Sequence, residues 1–314
     1  MGSRKEHLSL LAEIKTVRGL LENIPEGRVI EKISLERRLE KLTQEAVGIQ
    51  LALLPRRLVV TYRGRPIVGT EGFFSDFASD ATARLTDAVK AVVAGLSGNL
   101  KYSGPIPGAE NTNLMITGVA KGSFGFEFEI PKTGNGDEGP LYDGLNPTEF
   151  AIDKIQHLLN VAVSNDASDE SLADLVDEIH PRAVKKVKEF LDVLDERGAL
   201  CAMAFNDHSF RFMDKEQLTV GRNKLDDSNI HETDSKFTGE IQGVLPKSRT
   251  FEFKVSGDET ILRAKIGIEI EDPDILNREF LHHSSTITLR VVQVGQGRPR
   301  YMLRVLSDLS RLDG

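Results

Sequence analysis

The most unusual local chemistry in this chain lies at Gly118-Val-Ala-Lys-Gly-Ser-Phe-Gly125, where glycine, lysine and serine come together. A phosphate-binding P-loop needs Gly-x-x-x-x-Gly-Lys-Ser/Thr at a junction from strand to helix, because backbone amides and the helix N-terminus converge on the phosphate. Here Lys121 precedes Gly122, and a phenylalanine-rich strand follows instead of a helix. The order favours a tight hairpin or bulge, and we predict no cofactor.

Histidine meets residues that could act as metal ligands at three places in the sequence: Asp207-His208, His231-Glu-Thr-Asp234 and His282-His283. The metal-binding spacings His-x-x-x-His, Cys-x-x-Cys and His-Glu-x-x-His do not occur. Neighbouring histidines on a strand point to opposite faces, so His282 and His283 would not share one ion. The Gly-x-Ser-x-Gly elbow of hydrolases is also missing from the sequence. We therefore predict no metal site and no catalytic residues.

The single cysteine, Cys201, lies in the apolar run Ala199-Leu-Cys-Ala-Met-Ala-Phe205. A thiol in such a strand is typical of a packed core residue rather than a nucleophile. One cysteine cannot form a disulfide within the chain, which fits a reducing compartment. We expect a cytoplasmic protein.

Arginines interleaved with tyrosine are the pattern most suggestive of a specific activity. They occur on a hairpin near residue 63 and again on the last strands near residue 300. Small barrels bind single-stranded nucleic acid by neutralising phosphates and stacking bases on aromatic rings. The candidate nucleic-acid-binding residues are Arg63, Arg65, Arg298, Arg300 and Tyr301. Against this interpretation, tryptophan is absent and the formal net charge of the 314-residue chain is −8.

The charge is unevenly distributed along the chain. Residues 1–67 contain 13 Lys and Arg against 8 Asp and Glu, and residues 68–234 contain 15 against 29. Residues 235–314 are almost neutral, with 12 against 11. This asymmetry suggests three units, or an N-terminal unit attracted to the acidic middle of another copy.

The apolar runs are too short to span a bilayer, so we expect no contact with membranes.

Two amphipathic helices are predicted before Pro55. Apolar residues spaced by three and four predict the first helix over residues 5–24, and Ser34 is suited to cap the second. A short helical hairpin over residues 1–55 would join them, and its apolar seam suggests a homo-oligomer. The residues predicted to mediate self-association are Leu10, Ile14, Val17, Leu21, Leu35, Leu39, Leu42 and Ile49. In the alternative interpretation, both helices cover the central sheet.

The remainder of the chain indicates an α+β fold. Residues 56–213 run from strands to helices and back to strands, without regular βαβ alternation, which predicts a mixed α+β central domain. Within it, Phe124, Phe126 and Phe128 alternate with Gly125, Glu127 and Glu129, as in a half-buried strand. Residues 214–235 are polar and predict a linker. Five strands over residues 236–306 predict a small β-barrel, SH3-like or OB-like, with a tail over residues 307–314.

These observations favour a non-enzymatic binding or scaffold protein. It would self-associate through the N-terminal helices and bind a protein partner. The first alternative is a nucleic-acid-binding protein that uses the arginines named above. The second alternative is a hydrolase or nucleotide-using enzyme without a recognisable motif, for which a pocket around Asp207 and His208 would be the sign.

Overall fold

The structure is a computed structural model that describes residues 4–25, 28–46, 56–69, 71–120, 124–130, 146–164, 166–257 and 260–312. The helices are α1 (Arg4–Glu22), α2 (Val29–Ala46), α3 (Ser75–Leu96), α4 (Pro147–Val163), α5 (Asp169–Ile179), α6 (Pro181–Arg197), α7 (Lys215–Lys224) and α8 (Ile275–Phe280). The strands are β1 (Arg57–Gly64), β2 (Ile67–Val68), β3 (Gly72–Phe73), β4 (Met115–Val119), β5 (Phe124–Glu129), β6 (Ala199–Phe205), β7 (His208–Arg211), β8 (Ile230–Leu245), β9 (Thr250–Val255), β10 (Ile261–Ile266), β11 (Ser284–Val294), β12 (Arg300–Leu303) and β13 (Leu309–Arg311). The mixed α+β class is confirmed.

The N-terminal helices α1 and α2 pack against each other, as a helical hairpin requires. Among the residues whose burial the structure describes, their shared core contains three buried side chains, those of Ile14, Val17 and Leu42. Helix α2 begins at Val29, so Ser34 lies inside the helix and is not its cap. The helix starts earlier because Val29 to Ile33 are compatible with helix and Glu31 in the first turn binds Arg28 at 3.2 Å.

The central sheet has five antiparallel strands in the order β4-β5-β1-β6-β7. Alternate residues of β1 are buried, and these form one core with side chains of helices α3 to α6. The alternation predicted for β5 is present, since Phe128 is buried whereas Glu127 and Glu129 both bind Arg57. The short strand β2, which follows Gly64-Arg-Pro66, pairs with β3.

Residues 214–235 do not form the polar linker that the sequence predicts. Asp214 caps α7 by accepting a hydrogen bond from Gln217 N–H at 2.8 Å, and β8 begins at Ile230. Leu218 and Leu225 are buried in the central core together with Ile230. The segment resembles a linker in sequence because most of its residues are polar and face outwards. Three spaced apolar residues pack into the core and fix its position.

The C-terminal strands form a closed five-stranded β-barrel. The strand order is β12-β10-β9-β8-β11, and the pairing of β11 with β12 closes it. Strands β10 and β12 run parallel, and α8 lies between β10 and β11 in the chain. Within the predicted tail, β13 pairs with β11 through Leu309, whose side chain is buried. Long strands β8 and β11 reach into the central domain, where Val292 and Val294 join its core.

Gly125 shows how closely β1 and β5 approach each other. A Cβ atom added at Gly125 would lie 2.0 Å from the carbonyl oxygen of Val60 and 2.6 Å from Cα of Thr61. Gly72 lies in the same domain, and a Cβ atom added there would meet nothing within 4 Å. A glycine inside a strand is needed where a second backbone comes this close.

We therefore expect Gly125→Ala to lower the free energy of unfolding by about 3 kcal/mol, because the two strands must separate to admit the methyl group. Gly72→Ala should change it by no more than about 0.5 kcal/mol. Urea denaturation followed by circular dichroism measures both variants. Equal denaturation midpoints for Gly125→Ala and the unmodified protein would contradict the close approach.

Candidate functional site

An acidic face of α5 holds the barrel against the central domain. Arg300 of β12 donates from Nη2 to Glu170 Oε1 and to Asp174 Oδ1, each at 2.6 Å. At the other end of the helix, Lys265 of β10 binds Asp177 at 2.8 Å. We call the contacts of Arg300 and Lys265 with α5, together with the hydrogen bonds that the loop between β11 and β12 makes to the same helix, the α5 clamp. They join charged groups, which makes the hydrogen bonds stronger than neutral ones.

The loop that connects β11 to β12 completes the α5 clamp with backbone donors. The N–H of Gln296 donates to Asp169 Oδ2 at 2.9 Å, and the N–H of Arg298 donates to Glu170 Oε2 at 3.2 Å. Gly295 has a φ of +51° and lies against Asp169, where an added Cβ atom would come within 2.3 Å of the carboxylate. The hydrogen bonds to Arg298 and Arg300 lower the pKa of Glu170 below its usual value.

Contacts with α5 already engage some of the predicted nucleic-acid-binding residues on the barrel. Arg300 is engaged by two carboxylates within the chain, whereas the backbone of Arg298 and not its guanidinium is held. The ring of Tyr301 packs edge-on against Phe237, with ring centroids 6.0 Å apart. Arg298, Arg300 and Tyr301 lie together on one side of the barrel.

The other two predicted residues lie on the central domain. Arg63 donates from Nη2 to the backbone oxygens of Phe212, at 3.0 Å, and Met213. It thereby ties the end of β1 to the chain that follows β7. Arg65 donates its backbone N–H to Gly198 O at 3.2 Å and lines a shallow cavity with Arg197. The structure therefore does not bring Arg63 and Arg65 together with the arginines of the barrel in one surface.

An open groove of about 880 Å³ follows the outer surface of β9 and β10. Leu245 and Ile261 border it with 66% and 55% of their surfaces exposed. The Arg263 side chain is 86% exposed and pairs with Glu252 at 3.0 Å. The groove combines apolar side chains with charges of both signs, and two of its cations, Lys265 and Arg300, are already paired with carboxylates of α5.

A second cavity, of about 540 Å³, lies between the central domain and the barrel. We call it the interdomain cavity. Tyr102 forms part of its wall, and the Tyr102 ring packs against the His180 ring with centroids 4.4 Å apart. The guanidinium of Arg290, from β11, lies 4.9 Å from the centre of the Tyr102 ring. Tyr102 thus packs against His180 within the central domain and connects that domain to the barrel through a cation–π contact with Arg290.

His180 has an unusual backbone conformation, with φ of +80° and ψ of 136°. It is the single residue between α5 and α6, and its Nδ1 accepts a hydrogen bond from the Arg182 N–H at 3.1 Å. Burial, with the nearby charges of Arg182, Arg290 and Lys265, lowers the pKa of His180 to about 4. The imidazole is therefore neutral at pH 7.

Hydrolytic chemistry would need a reactive Cys201 or an activated histidine, and a metal site would need histidines grouped with other ligands. Cys201 is buried, and burial raises its thiol pKa to about 12, so it is a packed residue as predicted. His208 approaches Asp153 at 3.5 Å with its side chain largely exposed. Within the described ranges, no three His, Cys, Asp or Glu side chains are grouped so that they could hold a metal ion. In the same ranges, every helix is too short or too polar to cross a membrane.

Comparison of this chain with protein families, with curated proteins and with solved structures finds no match. The geometry of the described residues therefore carries the functional argument.

The buried neutral state of His180 predicts a pH effect on stability. The unfolded chain has an ordinary histidine pKa of about 6.5, so between pH 6.5 and pH 4 it binds a proton that the folded state does not. Stability due to this residue is present above pH 6.5 and is lost as pH falls towards 4, by about 3 kcal/mol.

His180→Asn is the suitable variant, because asparagine tolerates positive φ and its side chain can also cap a helix. Urea denaturation at pH 7 and pH 4 should show the unmodified protein losing about 3 kcal/mol more than this variant. The comparison cancels the titration of carboxylates, which both proteins share. Parallel losses in the two proteins would show that His180 is not held neutral.

Proposed function

We propose that this protein is a non-enzymatic binding protein that self-associates through its N-terminal helical hairpin. The observation that carries the proposal is the small core of the hairpin, with three buried side chains among the described residues of two helices of 19 and 18 residues. Helices in proteins are stabilised mainly by burying an apolar face, and a pair of this size buries little. A second copy of the chain would supply the missing surface.

Exposed apolar side chains support a second copy of the chain as the partner. Leu11, Leu20, Ile30 and Ile33 are exposed on the hairpin, Ile30 to 86%. The seven described residues that the sequence predicts for self-association lie instead in the seam between α1 and α2, and Ile49 falls outside the described residues. We therefore assign the contact between copies to the exposed set. The charge of +5 in residues 1–67 also suits an acidic surface on a second copy.

The barrel groove is the proposed binding surface for a protein partner. Exposed Leu245 and Ile261 fit apolar side chains of an extended segment, and the extended Arg263 fits a carboxylate. The exposed apolar surface of such a groove is typical of protein contacts. Two of the cations that would attract a polyanion, Lys265 and Arg300, are already paired with α5.

We expect light scattering to give the unmodified protein a mass in solution that is a multiple of 34.7 kDa. Replacing Leu11, Leu20, Ile30 and Ile33 by glutamine should return the mass to 34.7 kDa while helix content is kept, because these side chains are exposed in one copy. Replacing Leu245 and Ile261 by glutamine is the matched control and should leave the mass unchanged. A mass of 34.7 kDa for the unmodified protein would refute self-association.

Binding of single-stranded nucleic acid is the second candidate, and the strand order of the barrel favours it. We infer an OB-like barrel from the five-stranded Greek-key order, the parallel β10–β12 pair and the helix between β10 and β11. Barrels of this kind bind oligonucleotides on the face formed by their second and third strands, and β9 and β10 are those strands here. Arg263 and Arg298 lie along that groove.

If this second candidate is correct, a fluorescent single-stranded oligonucleotide should bind at low salt. Replacing Arg263 and Arg298 by alanine should weaken binding at least tenfold and reduce the salt dependence by about 0.7 for each lost phosphate contact. Arg278→Ala removes the same charge from α8, away from the groove, and should have little effect. No binding by the unmodified protein, or equal effects of all three arginines, would refute nucleic-acid binding and leave protein binding as the remaining proposal.

A further inference from the structure

The interdomain cavity has walls from both parts of the protein. The central domain contributes the loop after α3 and the junction of α5 with α6, and the barrel contributes β10, β12 and the residues that follow each of them. Its volume of about 540 Å³ is in the range of cavities that bind small molecules, and cavities of that kind occur preferentially at domain interfaces. The polar groups on its walls determine which ligand chemistry it suits.

His180 contributes a hydrogen-bond donor. Its Nδ1 already accepts from the Arg182 N–H, so the proton of the neutral imidazole is on Nε2. Within the described part of the chain, no residue accepts a hydrogen bond from this Nε2–H. A capping asparagine would have met the backbone requirement at this position equally well. The imidazole therefore adds a donor that the helix junction itself does not need.

Two further donors on the walls lack a good acceptor. Among the described residues, the hydrogen-bond partner of the Tyr102 hydroxyl is the Met302 sulfur, at 4.0 Å, and a thioether is a weak acceptor. The Nε–H of Arg304 is buried without a hydrogen-bond partner in the same part of the chain. Buried polar groups without a partner are rare, so such a group calls for a water, an ion or a ligand.

The charged side chains of the cavity also favour a ligand rich in acceptors. Each of its three acidic residues is already paired with a lysine: Asp177 with Lys265 at 2.8 Å, Glu178 with Lys154 at 2.6 Å and Glu269 with Lys101 at 3.7 Å. Two arginines remain on the walls, and neither is paired with a described acidic residue of the cavity. Arg249 donates to backbone carbonyls, and Arg304 binds Asp234, which does not line the cavity.

We infer that the interdomain cavity binds a small organic oxyanion, a carboxylate or a phosphate monoester carried on an apolar group. The oxyanion would accept hydrogen bonds from His180 Nε2–H, Tyr102 O–H and Arg304 Nε–H. The apolar group would lie against Leu100, Ile266 and Met302, which also line the cavity. This site does not depend on self-association or on the barrel groove.

The test uses phenylacetate and phenyl phosphate as probes, with benzyl alcohol as a neutral molecule of similar shape. Isothermal titration calorimetry on the full chain should show saturable binding of at least one of the two anions and none of benzyl alcohol. The anion that binds more tightly identifies the oxyanion. Tyr102→Phe keeps the ring that packs against His180 and Arg290 and removes only the hydroxyl, so it should weaken binding about tenfold without unfolding the protein.

His180→Asn and Arg304→Lys should each weaken the same probe to a similar extent, because each removes one donor and keeps the cap or the charge. Arg278→Lys, an exposed replacement on α8, is the matched control and should bind like the unmodified protein. Failure of both anions to bind would overturn the inference and leave the cavity to water. Equal binding of benzyl alcohol, or unchanged binding by Tyr102→Phe and His180→Asn, would overturn it as well.

Discussion

The α5 clamp is the interaction on which the arrangement of the two larger parts of the protein depends. A single exposed ion pair contributes little to stability, but here two guanidinium contacts, two backbone N–H donors and one lysine all meet the same helix. The helix is in turn anchored by Leu172, Val176 and Ile179, which are buried in the central core. The clamp therefore fixes the barrel on a rigid element and leaves its groove on β9 and β10 open.

The junction of α5 and α6 is a second constraint, and it results from close packing. A Cβ atom added at Gly95 of α3 would lie 1.9 Å from the carbonyl oxygen of Ile179, so α3 presses directly on the end of α5. The chain must then turn within one residue, which places His180 in a conformation that L-amino acids rarely adopt. The same turn brings the imidazole to Tyr102 and to the interdomain cavity. Strain in the backbone and a cavity at a domain interface thus have one structural origin.

Much of the fold could be predicted because its pattern is local. The alternation of Phe126 and Phe128 with glutamates, and the five strands of the barrel, follow from periods that burial of one face imposes. The segment 214–235 could not be predicted in this way. The buried apolar side chains of that segment are those of Leu218, Leu225 and Ile230, and three spaced apolar residues do not outweigh the polar composition of a short window. Its order comes from tertiary packing, which the local sequence does not report.

The candidate site was less predictable, because the type of a charged residue does not say which group neutralises it. Arg300 and Arg263 look alike in sequence, yet one meets two carboxylates of α5 and the other extends into solvent beside Glu252. Arg63, which also looked basic and exposed, satisfies two backbone carbonyls instead. A surface for anions is therefore defined by the donors that remain after the fold has satisfied its own acceptors. Here those donors include Tyr102 and His180. Neither adds a charge at neutral pH, so the distribution of charge along the chain does not reveal them.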